Sequence, residues 1–282
     1  MLTSEEKNHI LSHAYVPEHS VGLMTSLSEG EPYLIDDFFC CRKEDWAILI
    51  GFPLLKDFKR EKFEAIIKKI KKEFRPRRLS IITQDLSSKL SAQCSERESD
   101  FYYTLDAGTS PTKSEIRRNI KKASKSLIVE RAALMGNSHQ DLMEEFIKRA
   151  SPPLRVKELL FKMPRLVEGN RKCLVLNAWD KKRSLAAFYV VDLEAEKFTN
   201  YIIGCHSKTN YVLGASDLLL SELISLSQEC DKEYIHLGLG VNSGVRRFKE
   251  KWGGKPWLKY EMCELMLRRP PLLEVVNAFQ KK

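Results

Sequence analysis

The chain has 282 residues, of which 43% are hydrophobic and 30% charged, and its formal net charge is +9. This composition is typical of a soluble globular protein and excludes a low-complexity chain. No apolar run reaches the roughly 18 residues that a membrane-spanning helix needs, so we expect no membrane span. The length allows one large domain or two of ordinary size.

The cysteines and the first residues favour a cytoplasmic protein. The seven cysteines are an odd number, lie mostly within apolar runs and lack the Cys/His spacing of a zinc site. We therefore predict reduced, buried thiols and no metal. The opening MLTSEEKNHILSH lacks a basic region followed by an apolar one, so we expect no secretory signal.

The positive charge is concentrated in two segments of the first half. Residues 56–78 hold eleven Lys and Arg against four Asp and Glu, and residues 113–125 hold six against one. Such segments favour an anionic partner, which includes nucleic acid, a polyphosphate cofactor or an acidic membrane face. The alternative interpretation is a pair of solvated helix faces.

The first half predicts the order strand, strand, helix, strand, strand, helix, strand. An apolar stripe from Phe63 to Phe74 at helical spacing predicts a helix over residues 57–74, and a second helix is predicted over residues 112–125. The predicted strands are PYLIDDFFCC, DWAILIGFPL, RLSIITQD, DFYYTLDA and SLIVERAA.

The second half begins with two predicted helices, LMEEFIKRA and VKELLFKMPRLV, and continues with three strands, CLVLNAWD, SLAAFYVVDL and TNYIIGCH. A helix over ASDLLLSELISLSQEC is apolar nearly all round, so it should pack on a sheet. The strand EYIHLGL, the helix GVRRFKEKW and a strand around PWLKYEMCELML follow, and the tail NAFQKK predicts a frayed helix. We predict an α/β (α+β) fold of two halves, residues 1–125 and 126–282, each a mixed, mostly antiparallel sheet flanked by helices.

The stretch HLGLGVNSGVRRFKEKWGG, residues 236–254, is the most informative motif. A dinucleotide-binding turn would need further strands and helices, yet only 38 residues follow Gly244. A phosphate loop is excluded because no Gly-Lys-Ser/Thr is present. Gly238 and Gly240 at a strand end would let the backbone part so that a ligand can approach, although they could also serve only tight packing. Asn242 and Gly244 would open a helix whose N-terminus favours an anion.

The order of elements and this motif resemble known acyltransferases. The order of elements in the second half resembles that of the GNAT acyltransferase fold. The pattern Leu237-Gly238-x-Gly240, Gly244-x-x-x-Phe248-Lys249-x-x-Trp252-Gly253-Gly254, with a strand containing Tyr260, resembles the C-terminal signature of Fem-type aminoacyltransferases. The resemblance implies two tandem GNAT-like halves. It also implies direct transfer of an acyl group from acyl-CoA or aminoacyl-tRNA to an amine.

The resemblance assigns roles to particular residues. Lys249 matches the family's Phe-Lys motif and would stabilise developing negative charge or hold a phosphate, unless it is a solvated helix lysine. His206 is the candidate base and Tyr260 the candidate acid, whereas we expect His236 to be a satisfied core histidine. The residues predicted to bind the donor are Gly214, Ala215, Gly238, Gly240, Asn242, Gly244, Arg246 and Arg247.

One departure concerns the donor. Acetyl-CoA-using GNAT enzymes usually carry a glycine-rich loop of the form Gln/Arg-x-x-Gly-x-Gly/Ala before the buried helix, but the equivalent stretch here, residues 209–215, has one glycine. This favours tRNA as the carrier, with the basic segments 56–78 and 113–125 as its binding surface. The cleft should lie where the strands 198–206 and 233–240 part. Two alternatives stay open, which are a non-catalytic GNAT-fold binding module and a basic nucleic-acid-binding protein.

Overall fold

The computed structural model describes residues 2–268 and contains eleven strands and nine α-helices within that range. In chain order the elements are α1 (Ser4–His13), α2 (Val21–Ser28), β1 (Glu31–Ile35), β2 (Phe38–Lys43), β3 (Trp46–Gly51), α3 (Arg60–Glu73), β4 (Arg78–Thr83), α4 (Ser88–Ser91), β5 (Glu96–Asp106), α5 (Ser114–Ala123), β6 (Leu127–Ala132), α6 (Asn137–Ala150), α7 (Leu154–Gly169), β7 (Cys173–Asp180), β8 (Leu185–Asp192), β9 (Phe198–His206), α8 (Ala215–Glu229), β10 (Tyr234–Leu239), α9 (Ser243–Lys251) and β11 (Lys255–Met266). A single 3-10 turn, Pro17–His19, separates α1 from α2.

The first of two compact units comprises residues 2–7, 28–100 and 259–268. Its sheet runs β1-β2-β3-β4-β11, with β3 and β4 parallel and the other pairs antiparallel. The helix α3 connects the two parallel strands, as such a crossover requires. Its apolar stripe is buried against the sheet, because Phe63, Ile66, Ile67 and Ile70 join the core formed by β2, β3 and β4.

The second unit comprises residues 8–27 and 101–258. Its sheet runs β5-β10-β9-β8-β7-β6, in which β9 and β10 are parallel and the other pairs antiparallel. The crossover helix α8 lies on one face, where its Leu219, Leu220 and Leu223 are buried with residues of α5. The helices α6 and α7 cover the other face of β7, β8 and β9.

The predicted α/β fold of mixed sheets flanked by helices is confirmed. Two features differ from the prediction. PYLIDDFFCC forms two strands, because the chain turns between them with Asp36 at φ 53°. Helices α1, α2 and the short α4 were not predicted, since none of these segments carries a long apolar stripe. The predicted helix over NAFQKK lies outside the described residues.

The compact units do not coincide with the predicted halves 1–125 and 126–282. The difference arises because α5 and residues 101–106 of β5 pack with the second unit, while the end of β11 pairs with β4 in the first. The boundary of an internal repeat near residue 125 stays a prediction.

The prediction of reduced thiols is wrong for two cysteines. Cys94 and Cys263 form a disulfide in the first unit, with Cα atoms 5.3 Å apart. Cys40, Cys41, Cys173 and Cys205 are free and buried, and Cys230 is free and partly buried. Within residues 2–268, no helix is both long and apolar enough to cross a bilayer.

Candidate functional site

The strands β9 and β10 part from each other after three paired residues. The parallel register joins Tyr234 to Phe198, Ile235 to Thr199 and His236 to Asn200, and it ends there. β9 continues to His206 alongside β8. Alternate backbone groups of a strand point towards each neighbour, so half of those in residues 201–206 point towards the open side. The cleft predicted between residues 198–206 and 233–240 therefore corresponds to a real gap in strand pairing.

Both strands are irregular at this gap. The register of β8 with β9 shifts at Val190 and Val191, and the register of β10 with β5 shifts between His236 and Leu239. Bulges of this kind redirect side chains and end pairing, and they are frequent beside functional sites. Gly238 has φ 71°, and a Cβ there would have Tyr201 O, at 3.7 Å, as its neighbour. The glycine thus supplies a backbone conformation rather than relief from a crowded contact.

Lys249 projects from α9 towards the backbone of β10 and is buried, at 4% exposure. Its Nζ donates to Leu239 O at 2.5 Å and lies 5.6 Å from the centroid of the Tyr103 ring. Its charge also helps to lower the pKa of His236. The structure therefore rules out a solvated lysine and places a buried cation beside the end of β10. The predicted role of Lys249 in the chemistry stays a prediction.

The N-terminus of α9 is less open than the motif predicted. Asn242 caps the helix, and its side-chain oxygen accepts from Gly244 N and Val245 N, both at 3.0 Å. Gly240 N donates to Phe101 O at 3.2 Å. These N–H groups are already satisfied within the protein, so they have little capacity left for a donor phosphate.

The arginines predicted to bind the donor lie on the exposed face of α9. Arg246 and Arg247 are both exposed, and Arg247 Nε donates to Ser243 O at 3.3 Å. Tyr260 is buried, at 5% exposure, and belongs to the first unit, whereas Lys249 and His206 belong to the second. The predicted role of Tyr260 as an acid stays a prediction.

A separate pocket of about 290 Å³ lies at the N-terminus of α8. It brings together three predicted residues, His206, Gly214 and Ala215, with Phe248 and Lys251 of α9 among the other lining residues. Gly214 caps α8 with φ 88°, and a Cβ there would lie 2.5 Å from Asn119 O, so only glycine fits. Lys249 is not among the lining residues, which places it and His206 in different parts of the unit.

Two pocket-lining residues, Ser216 and Asp217, lie in the first turn of α8. Gly214 has no side chain to cap the helix, and within the described residues the N–H groups of Ser216 and Asp217 donate to no protein acceptor. Uncapped N–H groups at a helix N-terminus are suited to an anion. This end of α8, rather than that of α9, is the better candidate for a donor phosphate.

Asp217 links three helices beneath the pocket. Its carboxylate accepts from Trp252 Nε1 at 2.8 Å and from Asn119 Nδ2 at 2.8 Å, and it pairs with Lys251 Nζ at 2.7 Å. The Asp217 residue is 4% exposed. The network fixes α5, α8 and α9 around the pocket, and sequence reasoning did not find it because its members are far apart in the chain.

The loop before α8 is held by one carboxylate. Glu145 accepts from Lys208 N at 2.5 Å and from Ser207 Oγ at 2.9 Å. Burial opposes ionisation of Glu145, but these hydrogen bonds and the charge of Arg149 outweigh it and lower its pKa. For His206, burial and then the charges of Arg149 and Lys208 lower the pKa, so its imidazole is neutral at pH 7.

A second group of polar residues lies on the other face of the sheet, and no sequence pattern predicted it. Glu18, in the turn Pro17–His19, accepts from Tyr102 OH at 2.7 Å. The Tyr102 ring meets the His236 ring edge-on at 4.9 Å. Burial raises the pKa of Glu18, although the hydrogen bond from Tyr102 and the charge of Arg155 oppose it. A carboxylate with a raised pKa next to the gap is a candidate proton acceptor.

The two basic segments differ in their ion pairing. The first segment forms ion pairs within the protein, which are Lys59 with Asp57, Arg60 with Asp85 and Lys69 with Asp36. These pairs support the interpretation of a solvated helix face. On α5 the exposed basic residues Arg118, Lys121 and Lys122 form no ion pair with any described residue. The helix α5 also lines the pocket, through Glu115 and Asn119, but Arg118, Lys121 and Lys122 are not among the lining residues.

Comparison with known proteins supports the fold. No protein-family model and no curated protein matches the sequence. The structure is similar to FemX, with a TM-score of 0.62, 9% identity, and 98% of each chain covered. The fold is GNAT-like. The structure of L-PGS from Bacillus licheniformis has a TM-score of 0.58 at 13% identity, covering 98% of this chain and 96% of that one. A tandem GNAT protein from the clavulanic acid biosynthesis pathway has a TM-score of 0.53 at 10% identity, and the alignment covers 94% of each chain.

These identities are low, so the comparisons establish the GNAT-like fold and leave activity to the residues of the site. In that fold the element order β9, α8, β10 places the strand gap, the pocket and Lys249 within one unit. The tandem arrangement of two GNAT-like halves stays a prediction.

Proposed function

We propose that the protein is an acyltransferase that moves an acyl group from an activated carrier to an amine by direct attack. The single observation that carries the proposal is the parting of β9 and β10 after the His236–Asn200 pair. The gap exposes backbone groups that can orient an acyl carbonyl. The buried Lys249 beside it supplies positive charge where negative charge would develop.

We propose that the carrier binds at the N-terminus of α8 with its phosphate groups near the unpaired basic residues of α5. The carrier is acyl-CoA or aminoacyl-tRNA. The pocket of about 290 Å³ and the free N–H groups of Ser216 and Asp217 support a phosphate there. The exposed charges of Arg118, Lys121 and Lys122 favour a polyanion that extends beyond the pocket, as tRNA does.

Charge reversal on α5 tests the carrier surface. The double variant Lys121→Glu, Lys122→Glu is expected to weaken aminoacyl-tRNA binding at least tenfold. The binding constant should also depend less steeply on salt, with the negative slope of its logarithm against log salt concentration smaller in magnitude by about 2. Both side chains are exposed, so folding should be unaffected. The matched control is Lys68→Glu, Lys72→Glu on α3, measured by filter binding across salt concentrations. Equal weakening by both variants would contradict a surface confined to α5.

An attacking amine must lose a proton, and Glu18 is the proposed acceptor. The carboxylate accepts from Tyr102 OH, and the Tyr102 ring contacts His236 at the gap. Burial raises the pKa of Glu18 towards the range of an effective base. His206 is the alternative acceptor, on the pocket side of the sheet.

A pH profile distinguishes the two bases. A carboxylate base works only when ionised, so turnover by the wild-type protein should fall as pH drops through the raised pKa of Glu18. Glu18→Gln is expected to lower kcat at neutral pH by about 100-fold and to remove this acidic limb. His206→Gln is the control, and its turnover should still fall at low pH as that of the wild-type protein does. If His206→Gln instead abolishes the limb, the base is His206.

A donor screen tests the function as a whole. The native protein is incubated with acyl-CoA species and with aminoacyl-tRNA, and binding is followed by native mass spectrometry and thermal shift. A donor at 100 times its Kd should stabilise the fold by about 2.7 kcal/mol. Binding without transfer to any amine would favour a non-catalytic module. Strongly salt-dependent RNA binding without stabilisation by any acyl donor would favour a nucleic-acid-binding protein.

A further inference from the structure

Two buried nitrogen atoms at the inner end of the strand gap have no hydrogen-bond partner among the described residues. They are Asn200 Nδ2 and His236 Nε2. Asn200 is 2% exposed and His236 is fully buried. The two residues are register partners and form the last pair before β9 and β10 part. Side chains at paired positions project from the same face of a sheet, so the side chains of Asn200 and His236 lie on one face.

The hydrogen bonding of His236 determines which nitrogen carries its proton. Gly238 N donates to His236 Nδ1 at 3.2 Å, so Nδ1 is an acceptor and a neutral ring holds its hydrogen on Nε2. Burial, and then the charge of Lys249, lowers the pKa of His236 to about 3, so the ring is neutral at physiological pH. His236 Nε2 and Asn200 Nδ2 are therefore both donors, and both lack an acceptor.

A pair of buried donors is complementary to an oxygen atom. Buried polar groups in folded proteins are almost always hydrogen-bonded, and an unsatisfied one is costly. A group that satisfies both donors must be an acceptor, and the nearby positive charge of Lys249 favours an oxygen that becomes negative. Such an arrangement of preorganised donors is what stabilises an oxyanion in acyl transfer.

We propose that His236 Nε2 and Asn200 Nδ2 hold the carbonyl oxygen of the transferred acyl group, which rests on the proposed acyltransferase function. The amine lone pair forms the new C–N bond while the carbonyl π electrons move to that oxygen. Collapse of this oxyanion restores the carbonyl and breaks the bond to sulfur or to the tRNA ribose oxygen. The amine proton passes to Glu18, the leaving thiolate or ribose alkoxide takes up a proton from solvent, and Glu18 then releases its proton to solvent.

Two pairs of inert donor analogues test this oxygen site. One pair is built on coenzyme A and a second pair on the 3′ end of tRNA. In each pair, one analogue has a ketone in place of the reactive carbonyl, and the other has a methylene at the same position. The wild-type protein is expected to bind the ketone at least about tenfold more tightly, which is the effect of one hydrogen bond of average strength. His236→Phe and Asn200→Leu should each remove that preference.

His236→Gln is the matched control for His236→Phe. Both variants lose the acceptor for Gly238 N, but glutamine keeps an N–H donor near the position of Nε2. We expect His236→Gln to retain most of the ketone preference, and His236→Phe to have the higher melting temperature of the two because it buries no unsatisfied donor. Equal loss of preference in both variants would overturn the role of Nε2.

The outcomes separate this inference from the function on which it rests. If the wild-type protein binds ketone and methylene analogues equally well, the oxygen site is wrong while the acyl-carrier site stands. If neither carrier's analogues bind, the proposed function fails and the oxygen site fails with it. If His236→Phe and Asn200→Leu keep the preference, the oxygen is held by other groups.

Discussion

Replacing Lys249 with methionine is expected to reduce acyl transfer by at least about 100-fold while the melting temperature stays within a few degrees of the wild-type value. The reduction is the typical effect of removing one group that stabilises an oxyanion. Methionine fills a similar volume, and it removes a buried charge that is costly to desolvate. The loss of one donor to Leu239 O opposes this gain. The measurement is kcat/KM with the identified donor, together with a thermal melt.

The control for this variant is Lys255→Met, which makes the same chemical change at an exposed position. It should leave both turnover and melting temperature unchanged. Unaltered turnover in Lys249→Met would remove the lysine from the mechanism. A collapse of the melting temperature in Lys249→Met would show that its role is structural.

Replacing Asp217 with alanine is expected to lower the free energy of unfolding by about 3 kcal/mol, because it leaves a partly buried ammonium and two donors without their acceptor. Asp217 accepts from Asn119 and Trp252 and pairs with Lys251, so the variant disturbs three helices at once. Urea unfolding measures the loss, and an unchanged m-value would show that the unfolded state is the same.

The matched control is Asp141→Ala, an exposed position on α6. Surface substitutions of this kind usually change stability by less than about 0.5 kcal/mol. If Asp217→Ala lowered the free energy of unfolding no more than Asp141→Ala does, the carboxylate network would not be what fixes α5, α8 and α9 around the pocket.

The order and type of most elements could be predicted from local pattern. The stripe from Phe63 to Phe74, the apolar helix over residues 215–229 and the alternation of strands and helices all report short-range periodicity, and the structure confirms them. The gap between β9 and β10 was also predictable, because Gly238 and Gly240 mark a strand end at which the backbone can depart from the ladder.

The chemistry at the gap was harder to predict because it depends on contacts between distant residues. His236 was expected to be a satisfied core histidine; it is buried, but one of its nitrogens has no partner. Glu18 is 84 residues from Tyr102, its hydrogen-bond partner, and sits in a short turn without periodic signal. Lys249 could be assigned either to solvent or to the site, and only its contact with Leu239 O decides between them.

The account depends on the gap between β9 and β10 receiving the acyl group, and amide hydrogen exchange tests this directly. With the donor that the screen identifies, or with its inert ketone analogue, exchange should slow in residues 201–206 and 237–240. Residues of β6, at the far edge of the same sheet, should be unaffected. A donor that binds tightly while exchange in residues 201–206 and 237–240 stays unchanged would contradict the account.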